Sequence, residues 1–221
     1  MRRTRVKFCG IVDVRDARDA AAIGADAVGL VFHPPSPRAL DPVHAAGIRR
    51  ALPSWVSVVG LFVNLPPPRV RTIAAAVGLD VLQFHGDETM AQCEASTPAG
   101  LRWWRAVRMR HADDLLESFL AFERAEALLL DSFSPAWGGS GVAFDWSMIP
   151  ARRTRPIMLS GGLAPDNVAA AIMQVRPDGV DVSTGIQADA ADGTVRGQPR
   201  RKSVQRMERF MAEVLSADRN P

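Results

Sequence analysis

The sequence has few of the residues that mark secreted, metal-binding or membrane proteins. Its 221 residues include only two cysteines, Cys9 and Cys93, which are too few for a disulfide framework. These cysteines and the four histidines show no spacing typical of a metal site. No apolar run approaches the roughly 18 residues that a membrane-spanning helix needs. We therefore expect a cytoplasmic protein without a metal site and without a membrane partner.

Lysine is also scarce. Arginine and lysine together number 27, but only Lys7 and Lys202 are lysines, so arginine accounts for the pI of about 9.5. The formal net charge is only +3, which is weak evidence for binding to nucleic acid. The composition therefore predicts no nucleic-acid partner.

Short apolar runs rich in valine, leucine and isoleucine recur along the whole chain. Because these runs are continuous and do not alternate with polar residues, they are typical of buried parallel strands. Eight strands are predicted, at residues 6–9, 25–31, 56–62, 79–84, 102–107, 127–130, 156–159 and 179–182. Amphipathic segments between and after them predict helices at residues 13–23, 66–77, 145–149, 164–175 and 200–215.

Eight strand–helix units in a chain of this length predict a single (β/α)8 barrel (TIM barrel) domain over residues 1–221. A doubly wound open sheet is the alternative, although such sheets usually contain about five or six units. The sequence has no Walker A motif and no GxGxxG motif after the first strand. The barrel is therefore the favoured interpretation.

In a (β/α)8 barrel the catalytic groups lie at the carboxyl ends of the strands. The first strand ends with Lys7, Phe8 and Cys9. Side chains alternate along a strand, so Lys7 and Cys9 should face the barrel interior while Val6 and Phe8 face the helices. A cation beside a thiol lowers the pKa of the thiol. Cys9 is therefore either a reactive thiol activated by Lys7 or a buried apolar cysteine.

Asp131 follows the sixth apolar run directly. A carboxylate in that position is costly to bury unless it is paired or functional, so Asp131 is either a catalytic acid or a structural cap or ion-pair partner. Strands 1 and 6 are three steps apart around a ring of eight strands. Cys9 and Asp131 should therefore lie on opposite sides of the barrel mouth, with room for a substrate between them.

Small residues follow the seventh and eighth strands. Loops of this kind expose backbone N–H groups and bind phosphate in many barrels. An ordinary glycine turn is the alternative for either loop alone, but the two together predict a phosphate site between Cys9 and Asp131. The residues concerned are Gly161 and Gly162 in the first loop, and Ser183, Thr184 and Gly185 in the second.

Other polar residues near strand ends are less specific. Arg38 could bind a carboxylate or phosphate through two N–H groups, or it could lie on the surface. His85 could be a base, a hydrogen-bond donor or a structural residue, and the glycine-rich segment 137–141 could form a lid. Cys93 is expected to pack within a helix. The basic cluster near the last helix is predicted to be a solvated face, and consists of Arg196, Arg200, Arg201, Lys202, Arg206 and Arg209.

Taken in order, these strand ends closely resemble the phosphoribosylanthranilate isomerase family, (β/α)8 enzymes of tryptophan biosynthesis. The matching segments are VKFCGI (6–11), GADAVGLVFHPPSPR (24–38), VGLFVN (59–64), LQFHGDE (82–88), LLLD (128–131), GGSGVAFDW (138–146), SGGLAPDNV (160–168) and DVSTGIQ (181–187). Together they extend from residue 6 to residue 187 in the order of the family.

The resemblance implies a role for each matching residue. Cys9 falls on the general base of the family, Asp131 on its general acid, and Arg38 on the residue that binds the anthranilate carboxylate. The glycine loops at 161–162 and 183–185 fall on its phosphate site. We also expect Lys7 and His85 to bind substrate.

The reaction that the resemblance implies is an Amadori rearrangement of N-(5-phosphoribosyl)anthranilate. Asp131 would open the ribose ring to a Schiff base, and Cys9 would then remove the proton from the neighbouring sugar carbon. The protonated imine is the electron sink, so the implied reaction needs no metal and no organic cofactor. The substrate is a small phosphorylated molecule, and the family includes monomers and homodimers.

Three positions depart from the family pattern: Gln187 replaces a usual glutamate, Val142 a usual lysine, and residues 193–197 a Gly-x-Lys-Asp turn. A paralogue with a modified substrate therefore remains an alternative. A related sugar-phosphate isomerase of histidine biosynthesis is disfavoured, because that enzyme uses aspartate where this chain has Cys9. A non-catalytic phosphate-binding barrel is disfavoured by the presence of Cys9, Asp131 and Arg38 together.

Overall fold

The computed structural model describes residues 3–133, 143–189 and 201–219. Eight parallel strands form a closed barrel in sequence order, with the last strand paired to the first. The strands are β1 (Arg5–Cys9), β2 (Ala27–Val31), β3 (Ser57–Phe62), β4 (Val81–Phe84), β5 (Arg102–Met109), β6 (Ala127–Ser132), β7 (Ile157–Leu159) and β8 (Gly179–Val182). All eight predicted strands and the (β/α)8 fold class are confirmed.

Helices follow most of the strands. They are α1 (Val14–Ile23), α2 (Pro42–Arg50), α3 (Pro67–Val77), α4 (Met90–Ser96), α5 (Ala112–Ala121), α6 (Val168–Val175) and α7 (Val204–Arg219). Two 3-10 turns, Trp146–Met148 and Thr184–Ile186, follow β6 and β8. Within the described parts of the chain, no helix has both the length and the apolar character needed to cross a membrane.

A side-chain hydrogen bond and a glycine determine the two ends of helix α1. The Asp13 side chain accepts a hydrogen bond from the Arg15 N–H at 2.7 Å and so begins α1. Gly24, with φ of 99°, ends α1 in the left-handed conformation that glycine adopts without strain. The predicted stop at Gly24 is therefore confirmed.

Two predicted helices begin later than expected. The helix predicted from residue 164 begins at Val168, because the Asn167 side chain accepts from Ala164 N and donates to Gly162 O and so holds a turn there. The helix predicted from residue 200 begins at Val204. Lys202 instead pairs with Gln187 in an antiparallel bridge, which keeps that segment extended. The helix predicted at 145–149 is only a 3-10 turn.

The apolar core has two parts. The larger part lies between the strands and the helices, where the Phe8 ring meets the Phe210 ring of α7 edge-on at 6.1 Å. This contact confirms that Phe8 faces the helices. The smaller part fills the barrel interior around Trp104, which packs against Ala27, Val59, Val81, Ala106, Leu129 and Met158. These interior side chains close the barrel below the carboxyl ends of the strands.

Candidate active site

A cavity of about 450 Å³ opens at the carboxyl ends of the strands. Its size suits a small-molecule ligand. Nine of the predicted site residues line it, namely Cys9, Arg38, His85, Asp131, Gly161, Gly162, Ser183, Thr184 and Gly185. The closed barrel places β8 and β7 between β1 and β6. Cys9 and Asp131 therefore lie on separate sides of one cavity, with both glycine loops between them.

Lys7 lies below this cavity and not on its wall. Its side chain is fully buried and its Nζ donates to Asp181 Oδ1 at 2.7 Å. Asp181 Oδ2 in turn accepts from Ser160 Oγ at 3.1 Å. Lys7 thus lies beneath the residues that line the cavity, and its role in substrate binding stays a prediction. Burial lowers the pKa of Lys7, but the charges of Asp181 and Cys9 together with their hydrogen bonds to Lys7 leave that pKa raised.

Cys9 occupies a space that Gly29 provides. A Cβ atom at position 29 would come within 2.6 Å of Cys9 Sγ and 3.1 Å of Lys7 Cε. Burial raises the pKa of the Cys9 thiol, and the charge of Asp181 adds to that rise. The charges of Lys7 and Lys202 oppose it, as does the hydrogen bond from Lys7. The predicted lowering by Lys7 is confirmed, but burial has the larger effect and leaves the pKa of Cys9 raised.

Lys202 is the main residue of the site that sequence reasoning missed. Its side chain was expected on a solvated face, but the residue is only 4% exposed. Its Nζ donates to Ser183 O at 2.9 Å, and its backbone N–H donates to Asp16 Oδ2 at 2.9 Å. Burial lowers the pKa of Lys202 to about 7, with the charge of Arg38 adding to that effect. The scarcity of lysine was the available signal, since both lysines lie close enough to Cys9 for their charges to affect its pKa.

The other described residues of the basic cluster are partly exposed, as expected for a solvated face. Arg201 pairs with Asp16, and Arg206 and Arg209 form ion pairs with acidic surface residues while remaining partly exposed. Arg196 and Arg200 lie outside the described residues, as do the predicted lid at 137–141, Val142 and the altered turn at 193–197.

Asp131 and His85 are brought into direct contact. His85 Nε2 lies 3.1 Å from Asp131 Oδ2, and Asp131 Oδ1 accepts from the Ser132 N–H at 2.8 Å. Gly161, with φ of 78°, allows the chain to pass close by, because a Cβ there would lie 2.9 Å from Asp131 Oδ1. His85 thus holds the proposed acid from one side.

Arg38 is positioned by the loop after β8. With its amide oxygen turned toward the guanidinium, Gln187 accepts from Arg38 Nε at 3.0 Å and from Arg38 Nη2 at 2.7 Å. Arg38 Nη2 also lies 3.3 Å from Thr184 Oγ1. Gly10, with φ of 72°, makes room for Arg38, since a Cβ there would lie 2.4 Å from Arg38 Cδ. The replacement of glutamate by Gln187 therefore keeps a partner for Arg38, although a neutral one.

The two glycine loops touch each other at the cavity edge. A Cβ on Gly185 would lie 2.1 Å from Leu163 O, so only glycine fits that contact. Gly161 and Gly162 both have positive φ, at 78° and 67°. The loops thus form one continuous backbone surface, which suits an anion. Among the described residues, no group of three or more His, Cys, Asp or Glu side chains is arranged to hold a metal ion.

Comparisons with known proteins agree with this geometry. A model of the N-(5'phosphoribosyl)anthranilate (PRA) isomerase family matches residues 6–192. N-(5'-phosphoribosyl)anthranilate isomerase of Methylibium petroleiphilum is 44% identical over 216 residues, which cover 98% of this chain and 96% of that protein.

Solved structures give the same result. The crystal structure of phosphoribosyl anthranilate isomerase from Thermotoga maritima has a TM-score of 0.84 and 37% identity, covering 96% of this chain and 99% of that chain. Another phosphoribosyl anthranilate isomerase was solved in complex with reduced 1-(o-carboxyphenylamino)-1-deoxyribulose 5-phosphate. It has a TM-score of 0.81 and 34% identity, over 96% of this chain and 99% of that chain.

Proposed function

This chain belongs to the N-(5'-phosphoribosyl)anthranilate isomerase family, and we propose that it converts N-(5-phosphoribosyl)anthranilate to 1-(2-carboxyphenylamino)-1-deoxyribulose 5-phosphate in tryptophan biosynthesis. The observation that carries the proposal is a single cavity with a carboxyl group and a thiol on separate sides and a glycine-lined surface between them. This arrangement suits a phosphorylated substrate that needs both an acid and a base.

Asp131 is the general acid of the first step. Its carboxyl group gives a proton to the ribose ring oxygen, the ring C–O bond breaks, and a protonated Schiff base forms. The carboxylate left behind keeps the hydrogen bond from Ser132 N–H and the contact with His85 Nε2. These partners stabilise the charge that develops on Asp131.

Cys9 is the general base of the second step. Its thiolate takes the proton from the sugar carbon next to the imine. The C–H electron pair forms a C=C bond to the imine carbon, and the π pair of the C=N bond moves onto nitrogen, which gives an enolamine. The enolamine then tautomerises to the ketone. The buried thiol has a raised pKa in the free protein, so the positive charge of the Schiff base and the nearby Lys7 ammonium must favour the thiolate when substrate is bound.

The anionic groups of the substrate have separate binding sites. The phosphate lies against the loops at 161–162 and 183–185, where Lys202 supports the second loop through Ser183 O. The anthranilate carboxylate pairs with Arg38, whose fork of N–H groups matches two carboxylate oxygens. The protonated imine is the electron sink, so the proposed reaction uses no metal and no organic cofactor.

Residues 1–221 form one barrel domain, which the packing of α7 against β1 through Phe210 and Phe8 supports. The protein acts in the cytoplasm as a monomer or homodimer, without a nucleic-acid or membrane partner.

The direct test is the conversion of freshly made N-(5-phosphoribosyl)anthranilate, whose fluorescence disappears on rearrangement. We expect the purified protein to remove this fluorescence well above the uncatalysed rate, at a rate proportional to enzyme concentration. Decay no faster than the uncatalysed background would rule out the proposed function. Conversion only of the aminoimidazole substrate of the histidine pathway would favour the related isomerase instead.

A further inference from the structure

One buried polar side chain in the cavity wall is not used by the proposed mechanism. Gln83, on β4, is 0% exposed and lines the cavity beside His85. Its Nε2 lies 3.0 Å from His85 Nδ1, whereas its Oε1 has no hydrogen-bond partner among the described residues. Burying a polar group without a partner costs free energy, so the position of Gln83 indicates a specific role.

Gln83, His85 and Asp131 form a continuous chain of hydrogen-bonding groups. His85 Nδ1 faces the Gln83 amide and His85 Nε2 faces Asp131 Oδ2 at 3.1 Å. A neutral imidazole carries its proton on one nitrogen and accepts on the other. The group that faces Nδ1 therefore decides whether Nε2 can donate to Asp131.

Two amide orientations are possible, and they have opposite consequences. If the amide N–H faces Nδ1, His85 is protonated at Nε2 and donates to the Asp131 carboxylate. If the amide oxygen faces Nδ1, the proton lies on Nδ1 and a neutral His85 offers Asp131 only an acceptor. The first orientation leaves a buried carbonyl unpaired and the second leaves a buried N–H unpaired. Unpaired carbonyls are tolerated better than unpaired N–H groups, so the first is favoured.

We propose that Gln83 is a positioning residue that holds His85 in the tautomer with the proton on Nε2, so that His85 donates a hydrogen bond to Asp131. This bond stabilises the carboxylate that remains after Asp131 has given its proton to the ring oxygen. Gln83 thus acts on the acid step through His85 and does not itself touch the reacting atoms. The proposal rests on the proposed function, since it gives Asp131 the role of acid.

Two titratable groups face His85 besides the Gln83 amide. Asp131 reaches it from β6, and His33 approaches from the loop after β2 closely enough for their charges to interact. In the favoured amide orientation, Gln83 Nε2 faces Nδ1 and donates to it, so the ring carries its proton on Nε2.

The tautomer can be measured without turnover. Nitrogen NMR of histidine-labelled protein resolves the protonation of each ring nitrogen, and the chain has only four histidines. His85 is assigned by the signal that disappears in His85→Asn. We expect an unprotonated Nδ1 and a protonated Nε2 in the wild type. Gln83→Glu presents only acceptor oxygens while ionised, so it should move a proton onto Nδ1. A wild-type His85 protonated at Nδ1, or a tautomer unaltered in Gln83→Glu, would overturn the proposal.

Kinetics separate positioning from a merely structural role. Gln83→Leu removes the amide while keeping a side chain of similar size, and should lower kcat about tenfold with a smaller change in KM. In a His85→Asn background the same change should have little further effect, because Gln83 acts only through His85. Independent, additive losses would contradict the proposal. Circular dichroism and thermal unfolding of each variant confirm that the barrel is intact.

The role of Gln83 and the role of Asp131 are tested separately. If wild-type His85 has the wrong tautomer while Asp131→Asn is inactive, the role of Gln83 is wrong and the acid assignment is unaffected. If Asp131→Asn is fully active, the proposed acid is wrong whatever the tautomer of His85.

Discussion

Replacing Lys7 by methionine separates two effects of the buried cation beneath Cys9. The Lys7 ammonium pairs with Asp181 at 2.7 Å, with side-chain exposures of 0% and 6%. Removing one member of a buried ion pair leaves the other uncompensated and costs about 3–5 kcal/mol of stability. The loss should appear as a lower midpoint in chemical denaturation at unchanged cooperativity.

The second effect is on the thiol. The charge of Lys7 lowers the pKa of Cys9 and acts more strongly than the opposing charge of Asp181. An opposite charge at close range lowers a pKa by roughly 1–3 units. In Lys7→Met the acidic limb of the kcat/KM profile should therefore move upward by about one unit or more, because the base then ionises at higher pH.

The double variant Lys7→Met/Asp181→Leu tests the effect of Lys7 on the pKa of Cys9 without the loss of stability. It removes the uncompensated carboxylate, so stability should largely return, while the thiol still lacks its nearest cation. The profile should stay displaced upward, by less than in the single variant. A kcat/KM profile from about pH 6 to pH 10 that is the same in the wild type and both variants would refute the link between Lys7 and Cys9.

Three further predictions address the other parts of the site. Arg38→Ala should raise KM by about 10- to 100-fold with a smaller change in kcat, since a charged hydrogen-bond pair contributes about 1.5–3 kcal/mol; an unchanged KM would contradict the carboxylate role. Lys202 has a pKa of about 7 in the folded protein against 10.5 ordinarily, so the unfolded chain binds more protons between these values and stability should rise with pH across that range. Lys202→Met should abolish that part of the rise in urea unfolding measured at several pH values, and an identical pH slope in the two proteins would oppose this explanation. Gly29→Ala would place Cβ 2.6 Å from Cys9 Sγ and should cost about 1–3 kcal/mol and at least about tenfold in kcat. The control Gly47→Ala, in helix α2 with its nearest atom at 3.9 Å, should be neutral or stabilising by about 0.5–1 kcal/mol; equal effects of the two substitutions would contradict the packing argument.

Most strands were predictable because they are short and nearly continuous apolar runs, although β5 (RWWRAVRM) contains three arginines. Burial on both faces of a parallel barrel strand leaves that pattern in the sequence itself. The strand bounds differ by a few residues, since β5 and β6 extend past their apolar runs to Met109 and Ser132. The predicted start of helix α7 was too early, because a bridge between Lys202 and Gln187 keeps the residues before Val204 extended. The bridge forms only when the chain folds, so the local sequence pattern does not show it.

The parts of the site that lie directly at strand ends could be predicted from the sequence. Cys9 and Asp131 follow from alternation and from the order of strands around the barrel. Lys202 and Gln83 could not be assigned in that way, because their roles depend on contacts with Ser183 and His85 that only the folded chain creates. The net direction of the Cys9 pKa shift could not be predicted for a similar reason, since the extent of burial is a property of the whole barrel.

The central claim is that Asp131 and Cys9 act as acid and base across one cavity. The most direct test is the steady-state kcat for N-(5-phosphoribosyl)anthranilate in Cys9→Ser and Asp131→Asn, with Cys93→Ser as the matched control. Cys93 is buried in helix α4, away from the cavity residues. We predict a loss of about 100-fold or more in kcat for each site variant and a rate near the wild type for Cys93→Ser. Near-wild-type kcat in either Cys9→Ser or Asp131→Asn would contradict the account.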